Sequence, residues 1–375
     1  MLFGSRPLGQ RAFPLVIALS VLGLAACSSA GSGGSTSSGT TGVTSALAMP
    51  GPTGPLESTS ITVESVPTAD EAGLYIASDK GYFAKEGLNV KVVPTGGGEL
   101  SIADLNDGKA QLAAGNYVSY VQAQIAGTAN LRLIANGSQM QPGNQGLYVL
   151  PNSKFKSVAD LTKFHATIGV NTSNNIGSLL IDSLLKDNGL NPSELKPLYV
   201  PNPKLYPNAF GNVVTELQQG KIDAGWLPEP FATQAEQEFG AVKLADFDSA
   251  SLTSFPIGVY AGTEAWVQAH PNTIAAFLRG LQAGQEEADT DRNQVEQSLV
   301  KNTLVPNGVP LAAAQQLASL MTLDTYPLTM DVPQMQRVSN VMYEFGLEPA
   351  GTTPYSISSM VQPEPGMVTH GGGTS

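Results

Sequence analysis

The spacing of apolar residues changes twice within the stretch from residue 60 to residue 100. Alternation at Ile61 and Val63 predicts a strand, because successive side chains of a strand point to opposite faces. Residues 74–83 then carry apolar side chains at helical spacing, and alternation returns at 90–92. The order strand, helix, strand predicts a βαβ unit, with parallel strands joined by a right-handed crossover.

Residues suited to helix ends flank the predicted helix. Asp70 stands where an N-cap belongs, since a carboxylate there can accept hydrogen bonds from free backbone N–H groups. Gly81 and Gly87 stand at the far end, where glycine ends a helix in the left-handed conformation. We therefore expect the helix to begin after Asp70 and to break at these glycines.

The same alternation of strand and helix patterns continues along the chain and restarts near residue 167. It predicts further strands at 109–114, 131–135, 145–150, 167–170, 196–200 and 242–247. Residues 105–111 resemble residues 217–223, and each segment ends a helix at Gly-Lys before a strand. This indicates two similar lobes, with chance similarity at a common helix ending as the alternative.

Two passages between the lobes are predicted, at residues 151–153 and at 255–260. Lobe 1 is then expected to comprise two separate parts of the chain, and lobe 2 the part between them. The predicted bounds are 58–152 and 250–362 for lobe 1 and 153–249 for lobe 2. The predicted fold class is α/β, with a mostly parallel sheet flanked by helices in each lobe and two hinge connections.

The start of the chain is typical of a targeting segment. Arg6 and Arg11 precede an apolar stretch at 13–22 that is too short to span a bilayer. Leu-Ala-Ala-Cys at 24–27 follows as a cleavage site, so residues 1–26 are predicted to be a signal peptide.

Leu-Ala-Ala-Cys resembles a bacterial lipobox, which implies lipidation of Cys27, with palmitate-type acyl chains anchoring the protein to a membrane. The alternative is an ordinary secretory signal with an incidental cysteine. Residues 27–57 are rich in Gly, Ser, Thr and Pro and are predicted to form a tether. Residues 363–375 are predicted to be a disordered tail.

Composition excludes several functional classes. Of the 375 residues only 13% are charged, and the net charge is −12 with no basic run, which argues against nucleic acid as a partner. Cys27 is the only cysteine, which excludes an intrachain disulfide, a cysteine-based zinc site and an iron–sulfur cluster. The three histidines have no metal-ligand spacing, and no catalytic motif is present. We therefore expect no catalytic residue, no metal and no cofactor.

Candidate ligand-binding residues follow from topology, because ligands of open parallel sheets bind at the loops that leave the carboxyl ends of strands. The candidates in lobe 1 are Asp70, Glu71, Tyr75, Gly97, Gly98, Glu99, Asn116, Tyr117, Ser138 and Phe255. The candidates in lobe 2 are Asn171, Thr172, Ser173, Asn174, Trp226 and Glu229.

Each of these groups has a simpler explanation beside the functional one. Glycines 96–98 could present backbone N–H groups to an anion, or could form only a flexible turn. Residues 171–175 could hold a polar ligand, or could only cap the helix that follows. A core position is the default for any single aromatic residue, whereas several at strand exits favour a pocket for a flat or apolar ligand.

Three runs near the first helix carry a resemblance to a known family. Ala-Gly-Leu-Tyr-Ile-Ala at 72–77, Lys-Gly-Tyr-Phe at 80–83 and Glu-Gly-Leu-Asn-Val at 86–90 resemble the opening signature of the nitrate/sulfonate/taurine and thiamine-pyrimidine group of solute-binding proteins. The resemblance extends loosely over residues 60–347 and includes the Glu-Pro pair at 229–230. It implies a two-lobed periplasmic-binding-protein type II fold.

The resemblance implies a lipid-anchored protein on the extracytoplasmic face of the cell membrane. Such a protein captures a small organic solute as a monomer and delivers it to an ABC permease and its ATPase. One alternative is an enzyme of the pyrimidine-synthase-like branch, and another is a ligand-sensing lipoprotein. That enzyme branch carries an iron-binding cysteine cluster and a histidine where this chain has Glu71, so the resemblance implies binding without turnover.

The charged residues in the predicted cleft loops indicate which chemical class of ligand would fit. Asp70, Glu71 and Glu229 would supply acceptors to a ligand with amino groups, and no arginine falls in a predicted cleft loop. Pyrimidine-like, amine-bearing or neutral organic ligands therefore fit these loops better than sulfonate or nitrate.

Overall fold

A computed structural model describes residues 53–195, 197–199, 209–348 and 353–362. The predicted signal peptide, Cys27, most of the predicted tether and the predicted tail lie outside the described residues. Within the described ranges, no helix combines the length and the apolar composition that a membrane span requires.

Ten strands of the described ranges form two five-stranded sheets. The strands are β1 (Ser60–Ser65), β2 (Asn89–Pro94), β3 (Leu112–Asn116), β4 (Leu131–Gln139), β5 (Gln145–Val149), β6 (Ile168–Val170), β7 (Pro197–Tyr199), β8 (Ala224–Pro228), β9 (Val242–Asp246) and β10 (Pro256–Thr263). The first sheet has the order β2-β1-β3-β10-β4, and the second has the order β7-β6-β8-β5-β9. The predicted βαβ unit is confirmed, because β1 and β2 pair in parallel along six residues each.

Each sheet combines four mutually parallel strands with one antiparallel strand that arrives from the other lobe. In the first sheet, β1 runs parallel to β2 and β3, whereas β10 runs antiparallel to β3 and β4. In the second sheet, β6 runs parallel to β7 and β8, whereas β5 runs antiparallel to β8 and β9. The two sheets therefore share one topology.

The first passage between the lobes differs from the predicted one. Residues 145–149 were expected in lobe 1, before a passage at 151–153, but β5 pairs with β8 and β9 and belongs to the second sheet. All five of its residues are buried there, so the chain has already crossed at residues 140–144. The second passage lies between β9 and β10.

Thirteen α-helices occupy the described ranges. They are α1 (Ala72–Asp79), α2 (Tyr82–Lys85), α3 (Gly98–Asn106), α4 (Tyr117–Ala126), α5 (Val158–Lys163), α6 (Ile176–Asp187), α7 (Ala209–Gln218), α8 (Phe231–Phe239), α9 (Glu264–Ala269), α10 (Pro271–Thr290), α11 (Arg292–Leu299), α12 (Leu311–Leu320) and α13 (Val332–Glu344). A π-helical turn, Val300–Leu304, continues α11.

The start of α1 differs from the prediction that Asp70 is its N-cap. Asp70 lies inside a 3-10 turn, Ala69–Glu71, that precedes α1, and Glu71 occupies the N-cap position without a side-chain capping bond. The carboxylate of Asp70 accepts a hydrogen bond from Thr68 Oγ1 instead, at 2.7 Å. Gly81, at the end of α1, has the expected left-handed conformation, with φ of 70°.

Helix α10 returns to the first lobe and packs directly on α1. A Cβ atom added to Gly284 would lie 2.2 Å from the carbonyl oxygen of Gly73, so glycine is what allows the two helices to approach. Beside this contact, the rings of Phe83 and Phe277 stack with their centroids 5.2 Å apart.

Helix α13 connects the two lobes, because it contacts α4 of the first lobe and α6 of the second. Its side chains Met335, Val338 and Met342 are buried in the same apolar cluster as the core of the second lobe. The carboxyl ends of the strands from both sheets are thereby held face to face.

Candidate functional site

The strand exits of the two lobes meet at a small cavity with a volume of about 40 Å³. On this measure about 10–15 Å³ is enough for one water molecule, so the cavity has room for a small chemical group. The first lobe contributes Val66, Thr68, Asp70, Glu71, Gly97, Gly115, Asn116, Ile257 and Gly258. The second lobe contributes Gln145, Asn171, Ile176, Phe210, Trp226 and Pro228.

Two carboxyl groups enter the cavity from the 3-10 turn after β1. Asp70 accepts hydrogen bonds from Thr68 Oγ1 and, at 3.3 Å, from Ser138 Oγ. Glu71 is 3% exposed and accepts one from the Tyr260 hydroxyl at 3.2 Å. Burial raises the pKa of Asp70, and burial together with the charge of Asp70 raises the pKa of Glu71 to about 8.

Two further buried carboxyl groups lie next to these, outside the cavity wall. Glu229 accepts hydrogen bonds from the backbone N–H and the hydroxyl of Thr233, at 3.0 and 2.7 Å. Burial raises its pKa to about 7. Asp324 accepts a hydrogen bond from Asn144, and its pKa is raised by burial and by the charges of Asp70 and Glu229. Acidic groups therefore dominate the electrostatics of the cleft.

The second lobe supplies an aromatic wall. Trp226 and Phe210 meet edge to face, with centroids 5.0 Å apart and planes at 82°. The indole Nε1–H of Trp226 donates to Gln145 Oε1 at 3.2 Å, which fixes the ring. A Cβ atom on Gly177 would lie 2.5 Å from the same ring, so the start of α6 packs closely behind it.

Asn171 follows β6 and lines the cavity with a polar atom that has no partner. The residue is 6% exposed, and its Oδ1 accepts no hydrogen bond from any described residue. The capping of α6 is done by Asn175, whose side chain accepts from the N–H of Ile176 at 2.8 Å. Asn171 is therefore not needed to cap the helix.

Direct hydrogen bonds join the lobes around the cavity. The N–H of Ala69 donates to the carbonyl of Glu229 at 2.9 Å. Asn175 Nδ2 donates to Ser119 Oγ at 3.0 Å, and Gln122 Nε2 donates to the carbonyl of Asn174 at 2.9 Å. The two lobes are therefore in direct contact around the cavity.

A model of the family described as NMT1/THI5 like matches residues 68–293 of this chain. The chain belongs to the NMT1/THI5 like family. The matched range includes every residue of the cavity wall except Val66.

Two curated relatives of this NMT1/THI5 like chain differ in length. The bicarbonate transport ATP-binding protein CmpC of Synechocystis sp. is 28% identical over 242 residues, which are 60% of this chain and 34% of that protein. A putative thiamine biosynthesis protein of Haemophilus influenzae is 26% identical over 300 residues, 78% of this chain and 88% of that protein. The chain thus spans about a third of the first relative and most of the second.

Among solved structures, the periplasmic nitrate-binding protein NrtA from Synechocystis PCC 6803 superposes with a TM-score of 0.70. The two chains are 17% identical, and the match covers 83% of this chain and 88% of NrtA. This similarity confirms the predicted two-lobed α/β fold as that of periplasmic binding proteins.

Six of the sequence-predicted site residues line the cavity: Asp70, Glu71, Gly97, Asn116, Asn171 and Trp226. Ser138 supports Asp70 from behind, and Thr172 lies across from Gly97, where an added Cβ would be 3.4 Å from Thr172 Oγ1. Gly98, the first residue of α3, packs against Ser119 of α4.

The remaining predicted residues lie elsewhere. Tyr75 and Tyr117 are in the core, where their hydroxyls bond Ser65 Oγ (3.2 Å) and Asn136 Oδ1 (2.8 Å). Phe255 is fully buried. Glu229 directs its carboxylate at backbone and hydroxyl donors outside the wall. Three others are exposed outside the cavity: Glu99, Ser173 and Asn174.

Cavity residues that the sequence did not indicate include Gln145 and Phe210. Gln145 was missed because β5 was assigned to the wrong lobe, and its polar side chain at the start of an apolar strand was the available signal. Phe210 lies in the first turn of α7, where an apolar residue looks like ordinary core.

Proposed function

We propose that this protein is the solute-binding component of an ABC importer, which captures a small organic solute between its lobes and delivers it to a permease. The observation that carries the proposal is the cavity at the strand exits, whose wall comes from both lobes and around which hydrogen bonds join the lobes. Separation of the lobes would admit a solute, and closure would bury it. NrtA is a nitrate-binding protein and CmpC a transport ATP-binding protein, which supports a role in transport.

Binding without turnover is part of the proposal. The polar groups of the described cavity wall are carboxyl, amide and one threonine hydroxyl, with no histidine, cysteine or lysine among them. The putative thiamine biosynthesis relative favours, as a second candidate, an enzyme of pyrimidine synthesis. Conversion of a candidate pyrimidine by the purified, metal-supplemented protein would decide for the enzyme.

The proposed location is the extracytoplasmic face of the cell membrane, with acyl chains on Cys27 as the anchor. The support is the Leu-Ala-Ala-Cys motif at 24–27. Fractionation of cells producing the wild type or Cys27→Ser tests it, because the variant should leave the membrane fraction if the lipid is the anchor.

The function is tested by a thermal-shift screen of nitrate, bicarbonate, sulfonates, pyrimidines, polyamines and amino acids. A ligand at a hundred times its dissociation constant adds about 2.7 kcal/mol to the free energy of unfolding, which a melting curve resolves. We expect at least one class to stabilise the protein and to compact it in small-angle scattering, since closure follows binding. Stabilisation by none of them, or binding without compaction, would count against a capture role.

A further inference from the structure

The cavity wall carries hydrogen-bond acceptors from both lobes, beside the amide groups of Asn116 and Gln145. The first lobe supplies the carboxyl groups of Asp70 and Glu71, and the second supplies Oδ1 of Asn171. An acceptor that is buried without a partner costs free energy, so Asn171 favours a ligand that brings a donor. The lack of a partner for this buried atom is independent of the acidic residues and points to the same ligand chemistry.

No positive side chain compensates these carboxyl groups in the described part of the chain. The cavity wall there contains no lysine, arginine or histidine, and no ion pair of the described residues involves Asp70, Glu71, Glu229 or Asp324. The four arginines within the described ranges bind elsewhere: Arg132 to Glu264, Arg279 to Glu86, Arg292 to Glu296, and Arg337 to the carbonyl of Ser251. These buried carboxyl groups therefore have no cationic partner among the described side chains.

The aromatic wall fits the same chemistry. The only side-chain donor of Trp226, its indole N–H, is already used by Gln145, so the part of this side chain left for a ligand is its apolar ring. The side chain of Phe210 beside it has no donor at all. The faces of such rings attract cations by about 0.5–2 kcal/mol, more when water is excluded.

We propose that the ligand of this cleft is a small organic cation that carries N–H donors, such as a primary ammonium, amidinium or guanidinium group. The inference rests on the proposed solute-binding function and adds the class of solute. In this arrangement the cationic group lies between Asp70 and Glu71 and donates to Asn171 Oδ1, while Trp226 and Phe210 cover its apolar part. The volume of about 40 Å³ fits the charged group, and a longer substituent requires wider separation of the lobes.

The test is isothermal titration of the purified mature protein at pH 7.5 with five probes. These are methylammonium, guanidinium, tetramethylammonium, nitrate and methanesulfonate. We expect methylammonium or guanidinium to bind, and tetramethylammonium, which is a cation without N–H donors, to bind about tenfold or more weakly. Nitrate and methanesulfonate should not bind. Tighter binding of either anion than of both N–H cations would overturn the proposal.

Variants locate the effect. Asp70→Asn is nearly isosteric and should weaken binding of the cation about tenfold or more, because it removes a carboxylate that faces the cation. Glu238→Gln on the exposed face of α8 makes the same change in net charge and should leave binding unaltered. Asn171→Leu should also weaken binding, and it carries the test if Asp70→Asn does not fold. Binding by Asp70→Asn and Asn171→Leu that equals binding by the wild type would refute the assignment.

The outcomes separate this inference from the function on which it rests. Binding of anions or neutral solutes with compaction of the protein would leave the importer function standing and refute the cation. No response to these probes or to the wider thermal-shift panel would count against both.

Discussion

The two lobes have the same backbone plan and different chemistry at their strand ends. In both sheets the first strand of the lobe, β1 or β6, lies between the second and the third. Next to the third strand comes the strand that crosses from the other lobe, β10 or β5. The edge strand, β4 or β9, is the one after which the chain leaves the lobe. The strands β1, β2, β3 and β4 of the first sheet therefore correspond, in chain order, to β6, β7, β8 and β9 of the second.

The correspondence extends to the helix endings that the sequence comparison indicated. Gly108 and Gly220 are both left-handed, with φ of 71° and 66°. The residue after each glycine, Lys109 or Lys221, donates its backbone N–H to the residue five positions earlier and also forms an ion pair with that residue's side chain. A left-handed glycine followed by the same backbone hydrogen bond also ends α4 at Gly127 and α6 at Gly189, so this backbone pattern is common in the protein. What the two segments share beyond it is the lysine ion pair and the strand that follows.

The side chains at the strand ends differ between the two lobes, although the backbone plan is the same. After its first strand, lobe 1 has the carboxyl groups of Asp70 and Glu71, whereas lobe 2 has the amide of Asn171. After its third strand, lobe 1 has Asn116 in the cavity wall, whereas lobe 2 ends that strand with Trp226 and Pro228 in the wall. The repeated scaffold sets where a ligand can lie, and unlike side chains on it divide the charge and the aromatic surface between the lobes.

The largest effect is expected when the aromatic surface that lobe 2 contributes to the cavity is removed. Trp226→Ala should lower the free energy of unfolding by about 3–5 kcal/mol, because the side chain is 3% exposed and packs on Phe210. The same variant should also weaken the binding of any ligand that stabilises the wild type in the thermal-shift screen. Urea denaturation and titration of the wild type and the variant measure the two effects.

Trp266→Ala is the matched control in lobe 1. Trp266 is partly exposed and stacks on His270, with centroids 4.3 Å apart, away from the cavity wall. Its replacement should cost about 1–2 kcal/mol of stability and leave ligand binding unchanged. Equal ligand affinity in the wild type and Trp226→Ala would remove the aromatic wall from the binding site.

The raised pKa of Glu71 in lobe 1 makes the free energy of unfolding depend on pH. The pKa of Glu71 is raised from 4.5 to about 8, so the folded protein holds a proton that the unfolded chain releases. This stabilisation is complete below pH 4.5 and is lost as pH rises to about 8, with at most about 1.4 kcal/mol per pH unit from one group. The titratable groups that act on or are affected by this carboxyl are Asp70, Tyr75, Tyr120, Tyr260, Asp324 and Tyr326.

Melting curves of the wild type and Glu71→Gln between pH 5 and pH 8 measure this contribution. The melting temperature of the wild type should fall across the range, and the variant should show a smaller fall, because the introduced amide cannot titrate but its oxygen can still accept a hydrogen bond from Tyr260. Some fall should persist in the variant, since burial also raises the pKa of Glu229 to about 7. Parallel curves for the two proteins would show that Glu71 is not protonated in the folded state.

The sequence predicted the scaffold better than the cavity, for a physical reason. Strand and helix periods are local, so the βαβ unit and the repeated helix endings could be recognised from spacing alone. The partner of an apolar strand is not local, and residues 145–149 were therefore assigned to the wrong lobe.

The direction in which a side chain points could not be predicted from the local sequence pattern either. Tyr75 and Trp226 are both aromatic residues near strand exits, yet Tyr75 bonds Ser65 in the core and Trp226 faces the cavity. Asp70 was placed correctly at the exit of β1, but its role as a helix cap was wrong, because a 3-10 turn rather than α1 begins there. Residue type indicated which chemistry was available, and only packing decided which side chains line the cavity.

The smallest expected effect tests the shared scaffold itself. Gly108→Ala and Gly220→Ala should each lower the free energy of unfolding by about 1–2 kcal/mol, the cost of a left-handed conformation for a residue with a Cβ. Sterics add little, because the new Cβ meets nothing within 4 Å at Gly108 and only Leu150 Cδ1, at 4.0 Å, at Gly220. Asparagine at either site should cost less than alanine, since it adopts this conformation more readily. Urea denaturation that gives a loss in one lobe and none in the other would mean that the two endings match in sequence without sharing the same constraint.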